Sequence, residues 1–167
     1  MTKKRTGKAR SEGDIVEINL GDGTVSFAQV LADPLVAFFR KAYKIGEQPR
    51  IVDIARHPVM FRIWVHNSAI RSGRWKVVGH AFPSDELMKA PSFFKTDPVT
   101  KQLLRYDTGG KEMPASPEEV ADLECAAIWD AEQVEERIRD TLSGKRNKIV
   151  DAFRKLAGLD SLPGVSA

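Results

Sequence analysis

The feature that most constrains this chain is the run GDIVEINLGDGTVSFAQV, residues 13–30. Ile15, Val16, Ile18 and Leu20 mark a first strand, and Val25, Phe27 and Val30 recur with the two-residue period of a second. Between them Gly21-Asp22-Gly23 supplies residues that tolerate positive φ at a tight turn. A hairpin is therefore predicted, and a chain that opens this way builds an antiparallel sheet. Pro34 precedes LVAFFR, a continuous apolar run typical of a buried strand. RIVDIAR suits a short helical turn before Pro58, and VMFRIWV, residues 59–65, has strong strand propensity. It should be central, with Met60, Arg62 and Trp64 on one side and Val59, Phe61, Ile63 and Val65 on the other.

HNSAIRSG fits a single helical turn capped by Asn67 or Ser68 and ended by Gly73, after which RWKVVGH returns as a strand. SDELMKA offers a short helix, and SFFK and QLLRYD are two short strands separated by the turn residues TDPVTK. Ser116, Pro117 and Glu119 form a capping box at a helix start, and Cys125 to Trp129 reads as a last strand. Asp130 and Gln133 then cap DAEQVEERIRDTL, whose Ala131, Val134, Ile138 and Leu142 make one stripe and whose Glu135 and Arg139 are spaced to pair. A final amphipathic helix carries Ile149, Val150, Phe153, Leu156 and Ala157. Strands first and helices last predict an α+β fold, a small twisted or barrel-like antiparallel sheet covered by C-terminal helices.

With 167 residues, 42% of them hydrophobic, one domain over residues 13–160 is expected. A disordered basic tail is expected over 1–12 and a frayed end over 161–167. The tail matters for charge: residues 1–10 hold five cationic side chains and no acid, so the formal +3 of the chain conceals a net acidic remainder. Nucleic acid is not an expected partner, because the basic excess does not share a folded face. No apolar run approaches the roughly 20 residues of a membrane span, and polar sequence follows the basic start, so neither membrane nor signal peptide is expected. The single cysteine, Cys125, excludes an internal disulfide and a Cys-rich zinc site and suggests the cytoplasm; a monomer is expected.

Phosphate-binding glycine loops, H-E-x-x-H, C-x-x-C and G-x-S-x-G are all missing, so catalysis would have to rest on weaker constellations. His57, His66 and His80 could meet Asp53 or Glu124 around a zinc-like divalent metal ion, though surface and strand-end positions are the commoner role of such histidines. Cys125 reads as a buried, inert thiol. Arg71, Arg74 and Lys76 around Trp75 could bind an anion or form a solvated strand face. Trp64, Trp75 and Trp129 could wall an apolar pocket or pack in the core. The acids of PEEVADLE and DAEQVEE could face a basic partner or simply water.

GDIVEINLGDGT, HPVMFRIWVHNSAIRSGRWKVVGH, PSFFKTDPVTKQLLRYD and LECAAIWDAEQVEERI resemble, in order, the blocks of the immunity protein 26 / phosphotriesterase HocA family, over roughly residues 13–139. The resemblance implies two different activities. One is hydrolysis of organophosphate triesters such as coroxon, with an activated water attacking phosphorus and an aryl or coumarin-type group leaving. The other is binding and neutralisation of a toxin of a bacterial polymorphic toxin system. It carries over no catalytic residues. Taken first, the hydrolase would use what the residues supply: a metal on His57, His66 and Asp53, His66 with Arg71 and Arg74 as the catalytic set, and Trp64, Trp75 and Phe93 around the small-molecule substrate. The immunity protein, the second expectation, needs only a complementary surface.

Overall fold

The structure, a computed structural model, describes residues 10–107 and 109–164. The expected basic tail falls largely on residues 1–9, and the end of the expected frayed segment on 165–167, both outside the described residues. The class is α+β, as the strand and helix signals imply, but the strands are divided between two mixed sheets and no barrel closes.

The first sheet contains β1 (Asp14–Asn19), β2 (Thr24–Val30), β3 (Leu35–Lys44), β4 (Val59–Val65), β5 (Lys76–His80) and the two-residue β10 (Ile128–Trp129). Their spatial order is β10-β4-β3-β2-β1-β5, antiparallel except for the β10–β4 pair. Gly21 and Gly23 both take positive φ at the first turn, and the Leu20 amide donates to the Thr24 carbonyl at 3.0 Å, closing the predicted hairpin. The second sheet, ordered β8-β7-β6-β9, consists of β6 (Phe93–Thr96), β7 (Leu103–Tyr106), β8 (Glu112–Pro114) and β9 (Glu124–Cys125). The expected single strand from Cys125 to Trp129 is thus two pieces in two sheets. The chain crosses between them at Ala126-Ala127, which is why neither piece exceeds two residues.

Among the described residues four helices are single turns: α1 (Ile51–Ile54), α2 (Ser68–Arg71), α3 (Asp85–Met88) and α4 (Pro117–Val120). Two are longer, α5 (Ala131–Leu142) and α6 (Lys148–Leu156). Both predicted capping boxes, Ser116 with Glu119 and Asp130 with Gln133, are formed. No helix among the described residues is long and apolar enough to cross a membrane.

The main core lies between the first sheet and α5. Val16, Ile18, Val36, Phe38, Phe61 and Ile63 meet Trp129, Val134 and Ile138 there, all buried. On the other face, Ile15, Phe27 and Phe39 pack under Ile54 of α1, and Leu31, Leu35 and Ala37 pack against Leu87 and Phe93. α5 also carries buried charge. Arg139 does not pair with Glu135 as its spacing suggests; it donates to the Leu20 carbonyl at 2.7 Å. Glu135 instead accepts two hydrogen bonds from Arg74, both 2.8 Å, and one from the Trp75 indole at 2.9 Å. Burial opposes ionisation of this carboxylate, but the Arg74 and Trp75 hydrogen bonds prevail and hold its pKa below the ordinary 4.5.

A depressed pKa in the folded state gives stability that is complete above the unfolded value and is lost as pH falls through the folded one. Stability should therefore decline as the medium is acidified below about 4.5, and a Glu135→Gln variant should show a flatter decline. Glu135→Ala, which strands the Trp75 N–H in the core, should cost about 2 kcal/mol near neutral pH. Urea denaturation across a pH series checks both.

Candidate functional site

The expected metal ligands do not come together. His57 and His66 stand at opposite ends of β4, and a seven-residue strand spans on the order of 23 Å. His57 Nε2 lies 2.6 Å from the Tyr43 hydroxyl. Asp53 is held by Arg50 through bonds of 2.8 and 3.1 Å, which lower its pKa. His66 lies beside exposed Asp130, with Nε2 3.8 Å from Oδ1, and His80 beside buried Asp14, with Nδ1 3.7 Å from Oδ1. Among the described residues no three His, Cys, Asp or Glu side chains are grouped to hold a metal ion. Residue type suggested His57, His66 and Asp53 as a set, and the extended strand between the histidines separates them.

The expected cationic pair is also divided. Arg71 is exposed on α2, whereas Arg74 is committed to Glu135 and Glu132, the Glu135 hydrogen bonds raising its pKa further. Trp75 is not in a pocket. It is 1% exposed and meets Phe38 edge-on in the main core, on the α5 side of the first sheet. Trp64 and Phe93 are brought together on the other side, their ring centroids 4.6 Å apart.

Trp64 borders a cleft of about 360 Å³ between the first sheet, α3 and β7. Tyr106 stands nearly perpendicular to Trp64, at 85° with centroids 5.6 Å apart. Leu31, Leu35 and Leu87 supply apolar wall, and Glu12 and Asp33 supply carboxylates. Asp33 is paired with Arg10, whose side chain is buried and also donates to the Val65 carbonyl at 3.0 Å. Sequence reasoning named Trp64 and Phe93 but not Tyr106, Glu12 or Asp33. These reach the cleft from separate elements, and no local spacing links them.

A second surface is the outer side of β5, an edge strand. Ile15 pairs with Gly79 and Val16 with Val77, so Val78 is an extra residue, a bulge. The Gly79 backbone lies against Ile51; a Cβ there would sit 2.5 Å from that side chain, which accounts for the glycine. The Ala81 amide turns inward to the Gly13 carbonyl at 3.0 Å. Val77, Val78 and, at 91% exposure, Phe82 face solvent along this edge, with exposed Arg71 and Lys76 near its start.

Fold and surface define a two-sheet α+β protein whose prepared features are an open strand edge and an aromatic cleft. The chain belongs to the immunity protein 26 family, whose model matches residues 11–103, more than half of its length. The match corrects the hydrolase expectation: an immunity protein family points to neutralisation of a toxin, not to phosphotriester hydrolysis, and the phosphotriesterase branch of the resemblance finds no support. No curated protein and no solved structure matched the chain.

Among the described residues Cys125 has no neighbour that lowers its pKa. Burial, then the Glu124 charge, pushes its thiol up to about 11. Alkylation by iodoacetamide at pH 8 should therefore run on the order of a hundredfold slower than for a free cysteine thiol. Mass spectrometry of a timed reaction checks this, and rates near those of free cysteine would refute it.

Proposed function

We propose that this chain is an immunity protein that binds a cognate protein toxin of a bacterial polymorphic toxin system and neutralises it by covering its surface. The observation that carries this reading is that the matched stretch, residues 11–103, contains the whole of β1 to β5 and the exposed apolar edge beyond it. An edge strand offers unpaired amides and carbonyls to an extended segment of a partner. Phe82 gives that contact an aromatic anchor of the kind that dominates interface energetics. Arg71 and Lys76 favour an acidic residue where the partner strand meets the start of β5. The lone thiol, Cys125, supports a reducing cytoplasm as the place of the encounter.

The test is co-expression with the toxin encoded beside the gene for this chain, followed by titration of the purified pair. The wild-type chain should restore growth and bind. Phe82→Asp, at a position too exposed to disturb folding, should weaken binding at least about tenfold. Val99→Asp, equally exposed in the turn between β6 and β7, should leave it unchanged. A wild-type chain that neither protects nor binds overturns the reading, and full affinity in Phe82→Asp moves the contact away from β5.

A further inference from the structure

We infer that the cleft at Trp64 receives an arginine or lysine side chain of the bound toxin, an inference that rests on the neutralisation reading for the source of that side chain. Trp64 and Tyr106 form two aromatic walls at 85°, and both rings are only half-buried, unlike Trp75 and Trp129 in the core. Aromatic faces are electronegative and attract a cation placed over them. Leu31, Leu35 and Leu87 line the same space and suit the methylene stem of a long cationic side chain.

The charges select the sign of the guest. Glu12 and Asp33 line the cleft and, among the described residues, no lysine or arginine does; Lys95, whose ammonium lies 5.6 Å from the Tyr106 ring centroid, is paired with Glu112. Arg10 answers Asp33, while Glu12 has no ion-pair partner among the described residues. An anionic guest would be repelled, and a neutral one would gain nothing from the exposed Glu12 carboxylate. A guanidinium or ammonium satisfies the carboxylate and the rings together.

The molecule already contains one such arrangement, filled from within. The Arg137 guanidinium lies 4.0 Å from the Phe61 ring centroid and 5.1 Å from that of Trp129, and donates to both Glu124 oxygens, at 3.1 and 2.6 Å. Two aromatic rings and a carboxylate, the groups that surround Arg137, recur at the surface in Trp64, Tyr106 and Glu12, with no arginine among the described residues lining the space.

The experiment titrates the full chain with N-acetyl-arginine methylamide and with its neutral, nearly isosteric citrulline counterpart, following the Trp64 indole N–H by NMR after assignment with Trp64→Phe. A saturable shift at millimolar arginine amide is expected, about threefold to tenfold weaker for citrulline. Glu12→Gln should weaken only the arginine response. Equal responses to the two amides, or no shift of the Trp64 signal, overturn the inference. With the toxin, Glu12→Lys should reduce affinity by at least about tenfold. Unchanged affinity in that variant, with the wild type binding normally, overturns the inference and leaves the neutralisation reading standing. A wild type that does not bind the toxin overturns that reading and the toxin as donor, and the amide titration then decides whether the cleft takes a cationic side chain at all.

Discussion

The placement of one buried guanidinium governs how the two sheets of this protein meet. Arg137 projects from α5, lies over Phe61 of β4 and Trp129 of β10, and holds Glu124 of β9 with a bidentate pair. Helix, first sheet and second sheet converge on this group. Either half alone would be a buried unpaired charge, at a cost of about 3–5 kcal/mol, so the pair forms only where all three elements are correctly placed. Because β9 and β10 are two residues each, their backbone bonds could not fix the crossing unaided. The position of β6, and with it Phe93 and the wall of the Trp64 cleft, follows from that anchor through the β6–β9 pairing.

Arginine performs the same service elsewhere. Arg74 joins the start of β5 to α5 through Glu135, and Arg154 of α6 donates to the carbonyls of Ala121, Leu159 and Leu162, closing the chain's last described turn. Charges committed in this way are not available to a partner. The basic composition therefore says less about recognition than its total suggests, and the exposed Arg71 and Lys76 weigh more than the sum.

What could be read from the sequence was what local periodicity determines. The first hairpin, the buried run after Pro34, the strand Val59–Val65 and both capping boxes rest on spacings of two to four residues, and each formed. What could not be read depends on partners far along the chain. Glu135 sits four residues from Arg139 and about sixty from Arg74, yet pairs with the distant residue, because Arg74 and Trp75 reach it in the core while Arg139 finds the Leu20 carbonyl. The histidines do not form a set because ligand chemistry says nothing of position, and the extended strand β4 holds His57 and His66 apart. Trp64 and Trp75 lie eleven residues apart on opposite faces of one sheet, so an aromatic count could not separate a wall of the cleft from a core residue.

The edge at β5 shows how a surface can be open to one partner without being open to all. A long, flat, unpaired strand invites indiscriminate pairing, and a bulge is one of the ways proteins prevent it. The extra residue at Val78 interrupts the register with β1, and close packing of Ile51 on Gly79 restricts approach from one face. A second strand can add here only if its own twist accommodates the bulge and its side chains meet Val78 and Phe82. That condition selects among partners by shape before charge acts, and it joins to the Trp64 cleft through the chain itself, since Glu12 of the cleft is followed directly by Gly13, the residue whose carbonyl accepts the Ala81 amide at the end of β5. A partner that seats a strand on the edge and a cationic side chain in the cleft would hold both flanks of the Glu12–Gly13 segment, and two sites so linked discriminate more sharply than either does alone.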